Sequence, residues 1–332
     1  MAAGCGSDDP QQTDRAGVQA TYLTSFANFG RDAYAWVALE KGYFRDAGFD
    51  VTIQKGQGTG GNIQAVLSGQ VQYAPVDLTG GLLYMGKNQT TDFTAVAAIQ
   101  QRTMAAIAST EDKNIKTPKD LAGKTLADTP GSVVRNLFPT YAALAGIDEK
   151  TVTWVDGDAA TLIATLGTGK VDGIGQFVVG RPTIAAVTKK NPVFLPYSDL
   201  LPDLFGNVLI TRTALAKEKP DEVKRFTAAL LKGLDYALAN PQEAGEILKK
   251  NEPTANPAAA RAELELMAPF VRPDGTGSSA ATPGATATGG GTLGAIDTTR
   301  VARAITILED AGQIPAGLTP ESIVSVELTP KA

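Results

Sequence analysis

The run Phe49-Asp50-Val51-Thr52-Ile53-Gln54, followed by Lys55-Gly56-Gln57-Gly58-Thr59-Gly60-Gly61-Asn62, changes its repeat part-way. Val51 and Ile53 alternate with polar residues, the two-residue repeat of a strand with one buried face. Glycines then open a turn, and Gly61 to Leu67 takes up helical spacing. The same strand, turn, helix grammar extends in both directions. Upstream, Val18 to Phe26 reads as a strand and Asp32 to Asp46 as a helix, with Trp36, Leu39 and Tyr43 on one face and Gly48 ending it. Downstream come strand Val71 to Val76, helix Gly80 to Met85 and strand Phe93 to Ile99. Short apolar runs alternating with helical patterns predict βαβ units and an α/β fold with mostly parallel sheets.

A second unit opens at Thr117-Pro118-Lys119-Asp120, where Thr as N-cap, Pro at the first helical position and an acid three residues after the cap mark a helix start. It predicts strands at Lys124 to Ala127, Val152 to Val155, Gly173 to Val178 and Val193 to Pro196. Helices at Ser132 to Ala145, Ala159 to Leu166 and Pro182 to Lys189 lie between them. Val208 to Thr211 returns as a strand. Helices follow at Pro220 to Ala239, at Asn240-Pro241 to Lys250, from Asn256-Pro257 to about Phe270, and at Thr299 to Ala311. Between the last two, residues 274–295 carry almost no large apolar group and are expected to form a mobile surface insertion.

Composition narrows the chemistry. The 332 residues hold 30 Lys plus Arg against 35 Asp plus Glu, with no basic run, so nucleic acid is not an expected partner. There is no histidine and one cysteine, Cys5. Ser-His-Asp and Cys-His catalysis, histidine metal sites, zinc–cysteine clusters and intramolecular disulfides are therefore excluded. No metal and no cofactor is expected, and binding without chemistry is the favoured class. No stretch reaches the length of a membrane span. The start, Met1-Ala2-Ala3-Gly4-Cys5-Gly6-Ser7-Asp8-Asp9, is similar to the end of a bacterial lipoprotein signal, with Cys5 as the lipidated residue and residues 1–17 a flexible tether. An anchored extracytoplasmic monomer, in the periplasm or on the outer face of the membrane, is expected.

Ala38-Leu39-Glu40-Lys41-Gly42-Tyr43-Phe44, Ala47-Gly48-Phe49-Asp50-Val51, Gly69 with Val71 to Ala74, and Thr117-Pro118-Lys119-Asp120-Leu121-Ala122-Gly123-Lys124-Thr125 with Gly146-Ile147-Asp148 share an order and spacing. They resemble the solute-binding receptors of bacterial ABC importers, in the branch named for nitrate, taurine, alkanesulfonates and thiamine-pyrimidine precursors. The resemblance runs from about Gln19 to Lys250. It implies the periplasmic-binding-protein fold of the type II kind: two lobes joined by two crossovers, residues 18–110 with 212–332 forming lobe I and 111–211 lobe II. It further implies a small-molecule ligand clamped in the cleft by hinge closure and a membrane permease as partner.

Ligands of open α/β sheets sit beyond the carboxyl ends of strands. After the first strand lie Phe26, Asn28, Phe29, Arg31, Asp32 and Tyr34, a set of rings, an amide and charges suited to a small-molecule pocket, though Arg31 and Asp32 could simply cap the helix and Tyr34 pack on the lobe. Gly61 and Asn62 belong to the glycine turn, which could admit an oxygen-bearing group or be only a turn; it lacks the residues of a phosphate loop. Asp77 follows the third strand, and Gln100, Gln101 and Arg102 the fourth. In the second unit the candidates are Thr129, Ser132, Gln176 and Phe177, with Ser132 equally readable as an ordinary N-cap. The family's positions, carried over, single out Phe26, Asn28, Tyr34, Asn62, Asp77, Ser132 and Gln176. Rings at Phe26, Phe29, Tyr34 and Phe177 favour an aromatic or heterocyclic ligand of the pyrimidine-precursor type, with an aliphatic sulfonate, taurine or nitrate as the alternative.

Two rival readings remain. A sub-branch of this fold makes the thiamine pyrimidine, and its chemistry consumes an active-site histidine beside pyridoxal phosphate, with a cysteine-rich segment nearby. This chain has neither group. A sensory domain of a larger receptor would need a signalling or spanning segment not seen in the sequence.

Overall fold

The computed structural model describes residues 17–27, 29–158, 161–272 and 292–331. Two sheets organise it. The first takes β1 (Val18–Leu23), β2 (Phe49–Gln54), β3 (Ala74–Asp77), β4 (Phe93–Ala98) and a returning strand, β10 (Asn207–Arg212). β1 pairs parallel with β2, a Tyr22–Tyr73 bridge joins β1 to the β3 side, and β10 runs antiparallel between β3 and β4. The order across this layer is β2-β1-β3-β10-β4.

The second sheet has the order β9-β5-β8-β6-β7, built from β5 (Ala105–Thr110), β6 (Thr125–Asp128), β7 (Thr153–Asp156), β8 (Gly173–Phe177) and β9 (Pro192–Pro196). β6 runs parallel with β7 and β8, while β5 is antiparallel to β8 and β9. The two layers share one topology: β3 and β8 are central, β1 and β6 lie next to them with β2 and β7 at one edge, and an antiparallel strand, β10 or β5, sits between the central strand and the other edge. The chain passes between them twice, through residues 99–104 and 197–206.

The inserted strands set the crossing points. From sequence the first passage was expected after residue 110 and the second after 211, yet Ala105–Thr110 pairs in the second sheet and Asn207–Thr211 in the first. The cause is compositional. All six residues of β5 are buried, so it carries no alternation for sequence to read, and its Ala-Ala-Ile-Ala-Ser-Thr makes no strong apolar run.

The helices follow the sequence with local corrections. The expected helix Asp32 to Asp46 is broken: α1 (Ala33–Glu40) stops before Gly42, whose φ of +74° ends the turn, and a separate turn of helix covers Tyr43–Asp46. Thr117 and Asp120 form the expected capping box, over a single 3-10 turn. α2 is Gly58–Leu67, α3 Leu78–Asn88, α4 Val133–Ala145, α5 Leu162–Gly167 and α6 Arg181–Thr188. α7 (Pro220–Ala239), α8 (Pro241–Asn251), α9 (Pro257–Val271) and α10 (Thr298–Asp310) complete the chain.

The C-terminal helices cover the first sheet because Phe226 of α7 meets four rings there. It stacks on Tyr73 at 3.7 Å and 6°, and lies 5.0 Å from Phe44, 5.4 Å edge-on from Phe49 and 6.3 Å from Tyr22. In the second unit Tyr141 stacks on Tyr197 at 4.3 Å.

Of the expected insertion 274–295, all but its end lies outside the described residues, and that end is tied down. The Gly294 carbonyl accepts the Ala98 N–H at 2.9 Å, and the Ala295 carbonyl accepts the Gln101 side-chain amide at 2.6 Å. Among the described residues no helix is long and apolar enough to cross a membrane, and no cluster of acidic or cysteine side chains could hold a metal ion.

Candidate functional site

The end of β1 is held by a buried carboxylate. Asp32 (1% exposed) accepts the Ser25 N–H at 3.0 Å and the Ser25 hydroxyl at 2.6 Å. It offers no side-chain cap to α1, so the capping alternative fails and the residue instead fixes the loop that carries the rings. Burial pushes the Asp32 carboxyl up, while the neighbouring Arg31 charge and the Ser25 bonds pull it back. Arg31 donates its Nε to Ser25 Oγ at 3.2 Å. Its backbone N–H donates at 3.1 Å to Glu263 of α9, a carboxyl whose pKa is also raised by burial.

What Arg31 does with its guanidinium joins the two units. Its Cζ lies 5.2 Å from the ring of Phe29 and 5.5 Å from the ring of Phe177, at the end of β8. Phe26 stacks on Phe29 with centroids 6.0 Å apart and planes 14° from parallel, and both residues are partly exposed. The result is a row of flat surfaces, Phe26, Phe29, guanidinium, Phe177, running from the first unit to the second at the carboxyl ends of parallel strands.

Other expected site residues serve the frame. Asn62 (0% exposed) donates its amide to the carbonyls of Thr24 and Pro75 at 3.0 and 2.9 Å and accepts the Gln57 N–H at 3.0 Å. Its amide is spent on joining β1, the glycine turn and β3. Tyr34 is buried, its hydroxyl 2.9 Å from that of Tyr22, and packs on the lobe. Asp77 caps α3 by accepting the Gly80 N–H at 3.0 Å, and burial raises its pKa to about 6. Arg102 does not join the row: it sits on the first crossover, donating to the Pro269 carbonyl at 3.2 Å beside the Phe270 ring.

The glycine turn is shaped by close chain approach. Gly56 and Gln57 pair antiparallel with Phe26 and Ala27, and a Cβ on Gly56 would lie 1.8 Å from the Thr24 carbonyl oxygen. Gly61 is crowded only by the Gln57 side chain, at 2.8 Å from a built Cβ.

In the second unit Asp128 plays the part that Asp32 plays in the first. It accepts from the Ser132 hydroxyl and, at 2.7 Å, from the Thr129 N–H, and burial raises its pKa against these bonds. A Cβ on Gly175 would fall 2.0 Å from an Asp128 carboxylate oxygen. Ser132 is also the N-cap of α4, accepting the Arg135 N–H at 3.0 Å. Gln176 turns its carbonyl to the Phe177 N–H at 2.9 Å. The N-termini of α3 and α4 approach each other, since a Cβ on Gly80 would lie 3.3 Å from Val133 Cγ2.

Asn28 and Cys5 lie outside the described residues. Asp128 and Glu263 were missed from sequence. Asp128 carried the weak signal of an acid closing a strand; Glu263 sits mid-helix and reads as a solvated face, and its place beside the loop shows only in the fold, where a Cβ on Gly30 would strike the Ala260 backbone at 2.1 Å. Two surface hollows lie elsewhere, about 550 Å³ beside Pro241 and Arg261 and about 250 Å³ beside Trp154 and Lys150.

A family profile described as "NMT1/THI5 like" matches residues 33–244. Among curated proteins, the formylaminopyrimidine-binding protein of Halalkalibacterium halodurans is 26% identical over 225 residues, covering 67% of each chain. The riboflavin-binding protein RibY of Chloroflexus aurantiacus is 25% identical over 231 residues, 69% of this chain and 65% of its own. Among solved structures, the alkanesulfonate-binding protein SsuA of Xanthomonas axonopodis pv. citri superposes with a TM-score of 0.67 at 15% identity, covering 93% of this chain and 98% of that one. The nitrate-binding protein NrtA of Synechocystis PCC 6803 gives 0.68 at 14% identity, over 94% and 87%. These structural likenesses bear out the periplasmic-binding-protein fold expected from the sequence.

Proposed function

The chain belongs to the NMT1/THI5-like family, and from that premise we propose that it is the solute-binding component of an ABC importer, capturing a small planar organic compound between two lobes and delivering it to a membrane permease. The sheet pairings support lobes of residues 18–98 with 207–331 and of residues 105–196. The observation that carries the reading is the Arg31 guanidinium between Phe29 of one lobe and Phe177 of the other, 5.2 and 5.5 Å away. A ligand stacked there touches both lobes only when they are together, so it shifts the open–closed equilibrium toward the closed form.

Ligand contacts are assigned to Phe26, Phe29, Arg31 and Phe177, with the α4 N-terminus at Thr129 and Ser132, Gln176 and, in the adjoining loop, Asn28 at the edge. Tyr34, Asn62 and Asp77 are assigned to the frame beneath. Flat rings favour a heteroaromatic solute, the class named in the two curated relatives, over a bare anion. The protein holds its solute without making or breaking a bond, for with no histidine in 332 residues it lacks the group the rival enzyme chemistry consumes. Cys5 as a lipid anchor and a monomeric, extracytoplasmic state complete the proposal.

A thermal-shift panel of a substituted aminopyrimidine, riboflavin, taurine and nitrate tests it, because a ligand selective for the folded state raises the melting temperature. The heteroaromatic compounds are expected to raise it and nitrate to leave it unchanged. A rise with nitrate alone overturns the aromatic assignment.

A further inference from the structure

Away from the ligand row, α10 grips both passages between the sheets through one side chain. Arg300 donates Nη1 to Gln101 Oε1 at 3.2 Å, and Nη2 both to the Gln101 carbonyl at 2.5 Å and to the Pro202 carbonyl at 3.0 Å. Gln101 belongs to the first crossover and Pro202 to the second. The guanidinium also sits over Phe205, its Cζ 4.2 Å from the ring centroid, with Nε 3.6 Å from Asp203. Gln101 is held on its other sides too: its N–H donates to the Phe270 carbonyl at 2.6 Å and its side-chain amide to that of Ala295. Every polar group of this buried residue is therefore committed.

A bifurcated Nη2 fixes the spacing of Gln101 and Pro202, because one planar fork cannot follow two carbonyls that move apart. Any rotation of the second sheet against the first has to pass through these two strands. We propose that Arg300 is a positioning residue for solute capture, setting the resting angle between the lobes by bracing both crossovers against the C-terminal helix. Arg303 is its built-in control. It binds the same Asp203 through two bonds of 2.7 and 2.8 Å but reaches neither Gln101 nor Pro202.

The inference rests on the two-lobe part of the proposed function but on no ligand. The test is therefore made on the ligand-free chain, with spin labels at N88C in the first unit and K170C in the second, in a C5S background, reading the interlobe distance distribution. R300K keeps charge and stem and loses the fork; R300M keeps the stem on Phe205 and loses every donor, so whichever variant folds decides the matter. Either is expected to broaden the distribution or add a second distance, the minor arrangement gaining roughly tenfold in share, while R303A leaves it as in the wild type. A distribution unchanged in a folded R300 variant, or moved equally by R303A, overturns the proposal. Failure of the thermal-shift panel with a positive result here would remove the ligand class and leave the brace standing.

Discussion

Replacing Asn62 with Ala separates a frame residue from a ligand contact. The side chain is fully buried and makes three short bonds, two given to the carbonyls of Thr24 and Pro75 and one received from the Gln57 N–H. In N62A the buried carbonyls of Thr24 and Pro75 both lose the Asn62 amide, whereas Gln57 is exposed enough to turn to water. Taking the donor from a buried acceptor costs about 1–3 kcal/mol, so the loss at two carbonyls should cost N62A about 2–6 kcal/mol. N62D sharpens the test, since an ionised carboxylate can still accept from Gln57 but sets negative charge against the two carbonyls. It should be less stable than N62A at neutral pH and recover in acid, where a protonated carboxyl donates again. Urea unfolding followed by circular dichroism measures both variants. A loss in N62A below about 1 kcal/mol, with ligand affinity reduced instead, would return Asn62 to the pocket and refute its assignment to the frame.

Asp77 makes stability depend on pH. Its folded pKa of about 6 lies above the ordinary carboxyl value of 3.8, so the folded state holds the proton more tightly and stability falls as pH rises from about 4 to about 6. D77N keeps a cap for Gly80 and should lessen that slope, the buried carboxyls of Asp32, Asp128 and Glu263 keeping the rest, measured as melting temperature against pH; an unchanged slope contradicts the assignment. Gly30→Ala should push α9 off the loop that carries Arg31, because its Cβ would sit 2.1 Å from the Ala260 Cα. Slower binding and a lowered melting temperature are expected together, and a fully stable variant would show that the contact relaxes freely. R31K keeps the charge but not the flat face between the rings, and calorimetric titration should show affinity for a planar solute about tenfold weaker; equal affinity would place the solute elsewhere.

The alternation of β2 and the glycines after it were enough to predict an α/β chain, and the Thr117 and Asn256 signatures located two helix starts that the structure caps as expected. Such signals are local, written within a few residues of where they act. Ala105–Thr110 escaped because its Ala, Ser and Thr make no strong apolar run, and with it went the first crossing point. The rings that the structure gathers around Arg31 stood out in the sequence as well, since Phe26, Phe29 and Phe177 fall at or just after strand ends. Which polar residues face the row was not, because Asn62, Asp77 and Tyr34 find partners 12 to 38 positions away or in a helix turn, and no spacing rule specifies those. Glu263 reaches Arg31 across 232 positions, and only folding brings them together.

Equilibrium titration of the wild type and F177A with a substituted aminopyrimidine and riboflavin, followed by mass analysis of the recovered compound, tests the central claim most directly. Saturable binding of a planar compound, weakened roughly tenfold or more in F177A and returning the compound unaltered, is the predicted result, since removing an aromatic wall costs about 1.5 kcal/mol or more. Equal binding by F177A, or a chemically changed compound, would contradict it.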